Sequence, residues 1–229
     1  MNSRARLATV LFIVTAALRA QDAAPTVESF DSLEAGPPPD SLMVVEGSWA
    51  VVAEETGKHL ELQAEPVVDA ALLIGPSLKA EGSVRAKIRA AKSRRAHPRF
   101  GVGLYGVSGV KLRVSPAQKK VELVLGDEVI AEAPFDAWTE NAWWQVELKV
   151  TGSGESWVVE GRVWPDGSKA PERPTVSQPL TAAPGQGRAS LLGAPYANKP
   201  IHFDDVTVGA PSAAAPAEPG RREGGSSGR

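Results

Sequence analysis

Side chains able to grip a ligand crowd into one stretch, residues 142–167, which holds four of the six tryptophans: Trp143, Trp144, Trp157 and Trp164. Read as two strands around the Gly152-Ser153-Gly154 turn, it must split its adjacent tryptophans, because successive strand residues point to opposite faces. Trp144 then turns inward with Val146, Leu148 and Val150, and Trp143 outward with Gln145 and Glu147. Arg85, Lys87, Arg89, Tyr105, Glu160, Arg162 and Trp164 fall on polar faces of their own segments, and Gly101 and Gly103 leave room above them. Aromatic platforms beside forked hydrogen-bond donors are what sugar rings require. The candidate carbohydrate-binding residues are therefore Arg85, Arg89, Tyr105, Trp143 and Trp164. Packing of Trp143 and Trp164 beneath the loop at 165–186 is the competing reading.

Other chemistry is thinner. A glycosidase needs two carboxylates about 5–5.5 Å apart for retention or about 6.5–9.5 Å for inversion. Glu147 and Glu160 could face each other across a hairpin, but Lys149 and Arg162 stand among them and favour cross-strand ion pairs. His59, His97 and His202 are scattered, with no metal-ligand spacing and no triad partner. There is no cysteine, hence no thiol nucleophile, thiolate metal site or disulfide. Gly101-x-Gly103-x-x-Gly106 has the letters of a dinucleotide fingerprint, yet no helix follows it. The basic run Lys92–Arg99 is a candidate contact for anionic polysaccharide, against the plainer reading of a solvated turn.

Arg4 and Arg6 precede an apolar run from Leu7 to Leu18 and a small residue at Ala20, the layout of a secretory signal peptide. The run is short for a bilayer span, so a secreted or periplasmic product is expected, with an uncleaved anchor as the alternative. Removing Arg4, Arg6 and Arg19 from 25 Lys plus Arg leaves 22 against 27 Asp plus Glu, a net charge near −5. That balance argues against nucleic-acid binding. Residues 210–229, rich in Ala, Pro, Gly and Ser, bury too little to offset ordering entropy and are expected to be a disordered tail without a membrane anchor.

The elements that must position these residues are strands. Val84, Ala86, Ile88 and Ala90 alternate with Arg85, Lys87 and Arg89, and about a dozen such segments are separated by Gly, Pro and Asp. An all-β, antiparallel two-sheet β-sandwich over 27–209 follows, after a short linker at 21–26.

The order of landmarks resembles the concanavalin A-like lectin/glucanase jelly roll of laminin G-like type. Those landmarks are Gly47-Ser48-Trp49 with Val51-Val52, Leu60-Glu61-Leu62, Trp144 to Val150, Val163-Trp164-Pro165-Asp166-Gly167 and Phe203-Asp204-Asp205-Val206-Thr207-Val208. They are similar to secreted bacterial domains labelled family 16 glycoside hydrolase or 3-keto-disaccharide hydrolase. The Glu-x-Asp-x-x-Glu strand of family 16 glucanases is missing, so no catalytic residue is carried over. The resemblance implies that the first and last strands pair and that a structural calcium is held there, with Asp31, Asp204 and Asp205 as candidate ligands. The functional expectation is a non-catalytic module binding polysaccharide or cell-surface glycan. A hydrolase of the 3-keto-disaccharide type and an interaction domain without a small ligand are the alternatives.

Overall fold

Apolar side chains at every second residue cannot all be buried by a helix, and the chain buries them between sheets. The computed structural model describes residues 24–79, 81–196 and 198–211; the expected signal peptide, and the expected tail beyond residue 211, lie outside them. Fifteen strands among the described residues form two antiparallel sheets. In the first, the order is β13 (Val176–Leu180), β12 (Ser156–Pro165), β11 (Trp143–Ser153), β6 (Gly82–Ala90), β15 (Ile201–Gly209), β4 (Gly57–Leu62) and β3 (Trp49–Glu54), and β1 (Thr26–Glu28) also pairs with β15. The second runs β10 (Glu128–Pro134), β9 (Lys120–Leu125), β8 (Val110–Ser115), β7 (Arg99–Leu104), β14 (Gly187–Ala194), β5 (Ala70–Leu78) and β2 (Met43–Glu46). Among the described residues no helix is long and apolar enough to cross a membrane.

The core fills the space between the sheets. Ile88, Val146, Leu148 and Val159 of the first sheet meet Phe100, Val102, Leu112, Leu123 and Leu191 of the second, all within one buried cluster. Each such side chain contributes about 1.5–3 kcal/mol on leaving water. The β11–β12 hairpin follows the expected alternation: Trp144 and Trp157 are buried in the core, and the Trp157 indole donates to the Gly154 carbonyl at 2.8 Å. Glycine is required where this hairpin tightens, since a Cβ on Gly152 would lie 2.2 Å from the Ser156 carbonyl oxygen.

Two expected elements differ. The first strand ends at Glu28, because Phe30 takes a positive φ of 60° and drives its ring into the core, leaving Asp31 in a turn. The stretch 165–186, expected as loop, contains β13, whose Pro179 is tolerated because this strand lies at the sheet edge. Thr26 pairs with Val208, and Gly209 packs so closely that a Cβ there would lie 2.9 Å from Pro25 Cα.

Candidate functional site

The outward face of the second sheet is built from two cross-strand rows. One runs Glu122, Arg113, Gly101, Leu192, Ala71, and the other Val124, Lys111, Gly103, Ser190, Leu73. Glycine occupies the β7 position in both rows, and small or apolar residues follow on β14 and β5. The side-chain layer is thus interrupted in mid-sheet. A cavity of about 480 Å³ opens there, bordered by Val45, Val68, Arg99, Lys111, Arg113 and Leu192. That size suits a small ligand. Gly101 is also sterically fixed, because a Cβ would lie 2.0 Å from the Leu112 carbonyl oxygen.

Arg99 borders this groove and is held from several sides. Its guanidinium donates to Tyr196 Oη at 2.7 Å and to the Val68 carbonyl at 3.3 Å, and it lies 5.1 Å from the Tyr196 ring centroid. Tyr196 itself is exposed. Arg113 is tied to Glu122 at 2.9 Å, and Lys120 reaches the other oxygen of the same carboxylate at 3.0 Å. Burial alone would push Glu122 up, but its bonds to Arg113, Lys120 and Ser115 outweigh that and hold its carboxyl below the ordinary value. A carboxylate fixed in its ionised form has no proton to give, which suits a fixed contact rather than a general acid.

The outward face of the first sheet carries four of the five expected carbohydrate contacts. In register, Trp143 pairs with Arg89 and Glu147 with Arg85, while Gln145 lies between Lys87 and Trp164. Arg89, Trp143, Glu147 and Arg162 are engaged by neighbouring side chains, while Arg85 stands exposed. The Arg89 guanidinium sits 4.7 Å above the Trp143 ring and donates to Glu54 at 2.6 Å. Arg162 bridges Glu147 at 3.4 Å and Glu160 at 3.0 Å, so the pair considered for hydrolysis is an ion-pair cluster. Trp164 is only 6% exposed. Tyr105 is not brought to this face: it follows β7 in the other sheet, and its ring packs beneath Gly185. Burial first, and then the charge of Glu81, pushes its phenol upward.

Asp204 and Asp205 sit at a bulge in β15, where pairing to β6 shifts between Asp204 and Thr207 and Asp205 has φ of 45°, and Asp31 lies in the turn after β1, near enough for its charge to act on Asp204. Asp31 accepts the Lys58 amide at 2.8 Å, Asp205 pairs with Lys87 at 2.7 Å, and Asp204 accepts the Asp205 amide at 2.8 Å. Burial, with the charges of Asp205 and Asp31, pushes Asp204 up to about 6. These donors are oxygens, as calcium prefers, but Lys87 already supplies a positive charge at the same place.

Two scattered histidines also meet. His202 Nδ1 lies 2.8 Å from His59 Nε2, because β15 runs beside β4 with His202 opposite Glu61. Glu54 Oε1 is 3.9 Å from His59 Nε2, and Glu61 Oε2 is 3.7 Å from His202 Nδ1. Desolvation lowers both imidazoles, His202 to about 4, so both are neutral near pH 7. The sequence separation of 143 residues conceals this pair. Only the register of β15 against β4 reveals it.

No protein-family profile and no curated protein sequence matches the chain. Solved structures do. The carbohydrate-binding module CBM66 from Bacillus subtilis is similar at 13% identity and a TM-score of 0.50, covering 74% of this chain and 96% of its own. The carbohydrate recognition domain of Emp47p is similar at 10% identity and a TM-score of 0.53, over 80% and 94%. The exoplasmic/lumenal domain of VIP36, in a Ca2+/Man3GlcNAc-bound form, is similar at 6% identity and a TM-score of 0.52, over 82% and 92%. The fold is the concanavalin A-like lectin jelly roll. Within this jelly roll, the room left by Gly101 was legible in the sequence but was set above the wrong sheet, because alternation reports which residues share a face of one strand. It does not report which sheet that strand joins, and β7 lies in the opposite sheet from β6 and β11.

Proposed function

We propose that the chain is an exported, non-catalytic module that binds carbohydrate in the groove of the second sheet. The observation that carries this reading is the glycine-floored cavity of about 480 Å³, in which apolar Val45, Val68 and Leu192 lie beside the donors Arg99, Lys111 and Arg113. A pyranose ring presents an apolar face and a hydroxyl edge, and that combination of wall and forked donor matches both. The carbohydrate-binding neighbours support the reading. Export rests on Arg4, Arg6, the apolar run to Leu18 and Ala20.

Glycan-array and polysaccharide-retention measurements on the mature chain test the site. Arg99→Ala and Lys111→Ala should each weaken binding about tenfold, equivalent to roughly 1.4 kcal/mol. Arg85→Ala and Trp143→Ala, on the opposite face, should leave it unchanged. The reverse pattern would move the site to the face of Arg85, Arg89, Trp143 and Trp164. A structural calcium at Asp31, Asp204 and Asp205 belongs to the same reading, supported by the mutual repulsion at Asp204 and the Ca2+-bound neighbour. Calcium would displace Lys87 from Asp205 and raise the melting midpoint by a few degrees, an effect that Asp204→Asn should abolish. Absence of heat on calcium titration would remove the calcium proposal and leave the groove intact.

A further inference from the structure

The histidine pair on the first sheet has a geometry that neither sugar binding nor sheet packing requires. His59 Nε2 and His202 Nδ1 face each other at 2.8 Å, and Glu54 Oε1 joins them so that all three atoms lie within 4.8 Å of one another. Glu61 Oε2 stands 3.7 Å from His202 Nδ1. Ligand atoms around a tetrahedral zinc ion, with metal–nitrogen bonds of about 2.0–2.1 Å, lie about 3.3 Å apart. Opening the two imidazoles by about half an ångström makes room for such an ion.

We propose that His59, His202 and Glu54 form a binding site for a divalent transition-metal ion of the zinc class, with Glu61 turning in as fourth ligand. Two imidazoles and two carboxylates are a donor set that such ions accept and calcium does not favour. The four residues come from three adjacent strands, β3, β4 and β15, so backbone pairing fixes their spacing. His59 is buried, its ring centroid 6.2 Å from that of Trp143, while Glu54 is open to solvent and provides the entry side. Arg89 is the built-in competitor, because it donates to Glu54 Oε1 at 2.6 Å. Its stacking on Trp143 lets it keep one partner when the carboxylate turns to the metal.

The test uses the untagged mature chain, stripped of metal and titrated calorimetrically with Zn2+, with Co2+ absorption as the geometric readout. One Zn2+ per chain and a strong tetrahedral Co2+ spectrum are expected. His202→Gln should weaken Zn2+ at least about 30-fold, and Glu61→Gln about tenfold. Arg89→Gln should tighten it several-fold by removing the competing cation, which a merely structural role for the cluster would not produce. His97→Gln should change nothing. His202, partly exposed, carries the test even where a change at buried His59 disturbs folding. Lack of stoichiometric Zn2+ binding at 100 µM, a weak six-coordinate Co2+ spectrum, or equal affinity in folded His202→Gln would each overturn the proposal. Glycan binding by these variants is read separately and is expected to be unaffected.

Discussion

The two outward faces of the sandwich use the same strand grammar and reach opposite results. On the first sheet most long polar side chains find a partner on the same face, as in Arg89 with Glu54 and Trp143, Lys87 with Asp205, and Arg162 with Glu147 and Glu160, while Arg85 stands exposed. That surface is covered by its own side chains. On the second sheet, Gly101 interrupts its row between charged Arg113 on β8 and apolar Leu192 on β14, and a groove results. What separates a covered face from an open one is a missing side chain rather than a different kind of residue. Aromatic and charged residues in a sequence therefore mark contact, but much of that contact is with each other.

The comparison breaks most severely at the groove floor. Gly101→Ala sets a Cβ against backbone that cannot rotate away, so it should cost about 3–5 kcal/mol and lower the denaturant midpoint accordingly. A variant that melts like wild type would show that the floor can yield, and that glycine there serves only to leave space.

The second way to sharpen it is pH. His202 is pushed down to about 4, so its unfolded form takes a proton first as pH falls below about 6.5; its stabilising contribution is present above 6.5 and lost on the way to 4. Asp204 is pushed up to about 6, so its folded form holds a proton between about 6 and 3.8 that the unfolded chain has released; acidification through that window stabilises. The two slopes oppose each other, each limited to about 1.4 kcal/mol per pH unit and reduced by partial exposure. The test in metal-free buffer between pH 6.5 and 4 is therefore the difference of each variant from wild type. Relative to wild type, Asp204→Asn should lose stability on acidification and His202→Gln should gain it. Parallel profiles for all three proteins would contradict the assignment.

The smallest effects distinguish the faces by sign. Arg162→Ala removes partly exposed ion pairs and should cost under about 1 kcal/mol. Ser190→Ala, on the same sheet as the groove, removes a buried hydroxyl with no hydrogen-bond partner among the described residues, and should be neutral or stabilise by up to about 1 kcal/mol. Thermal melts of both variants measure the contrast.

The fold was readable because burial imposes period two: β6, β11 and β12 present the inward residues that alternation assigns, down to the division of Trp143 from Trp144. β13 was hidden because an edge strand tolerates Ser, Gln and Pro, which look like loop. Sites resisted for a different reason. Alternation sets Tyr105 and Arg85 outward alike, yet Arg85 lies on β6, whereas Tyr105 follows β7 of the other sheet with a positive φ and is buried in the core. His59 and His202 needed a long-range register that no local pattern encodes. Face is a local property, and neighbourhood is not.

The pairing of Thr26 with Val208 brings the two ends of the domain to one point, with Pro25 against Gly209. The chain is in effect a closed ring with its clasp at that spot. A short tether across the clasp should allow the ring to be reopened at the exposed turn around Gly154, giving a circularly permuted protein with the same groove. The same clasp suits insertion of the whole domain into a surface loop of another protein, where both connections would leave side by side and the groove on the other sheet would stay clear.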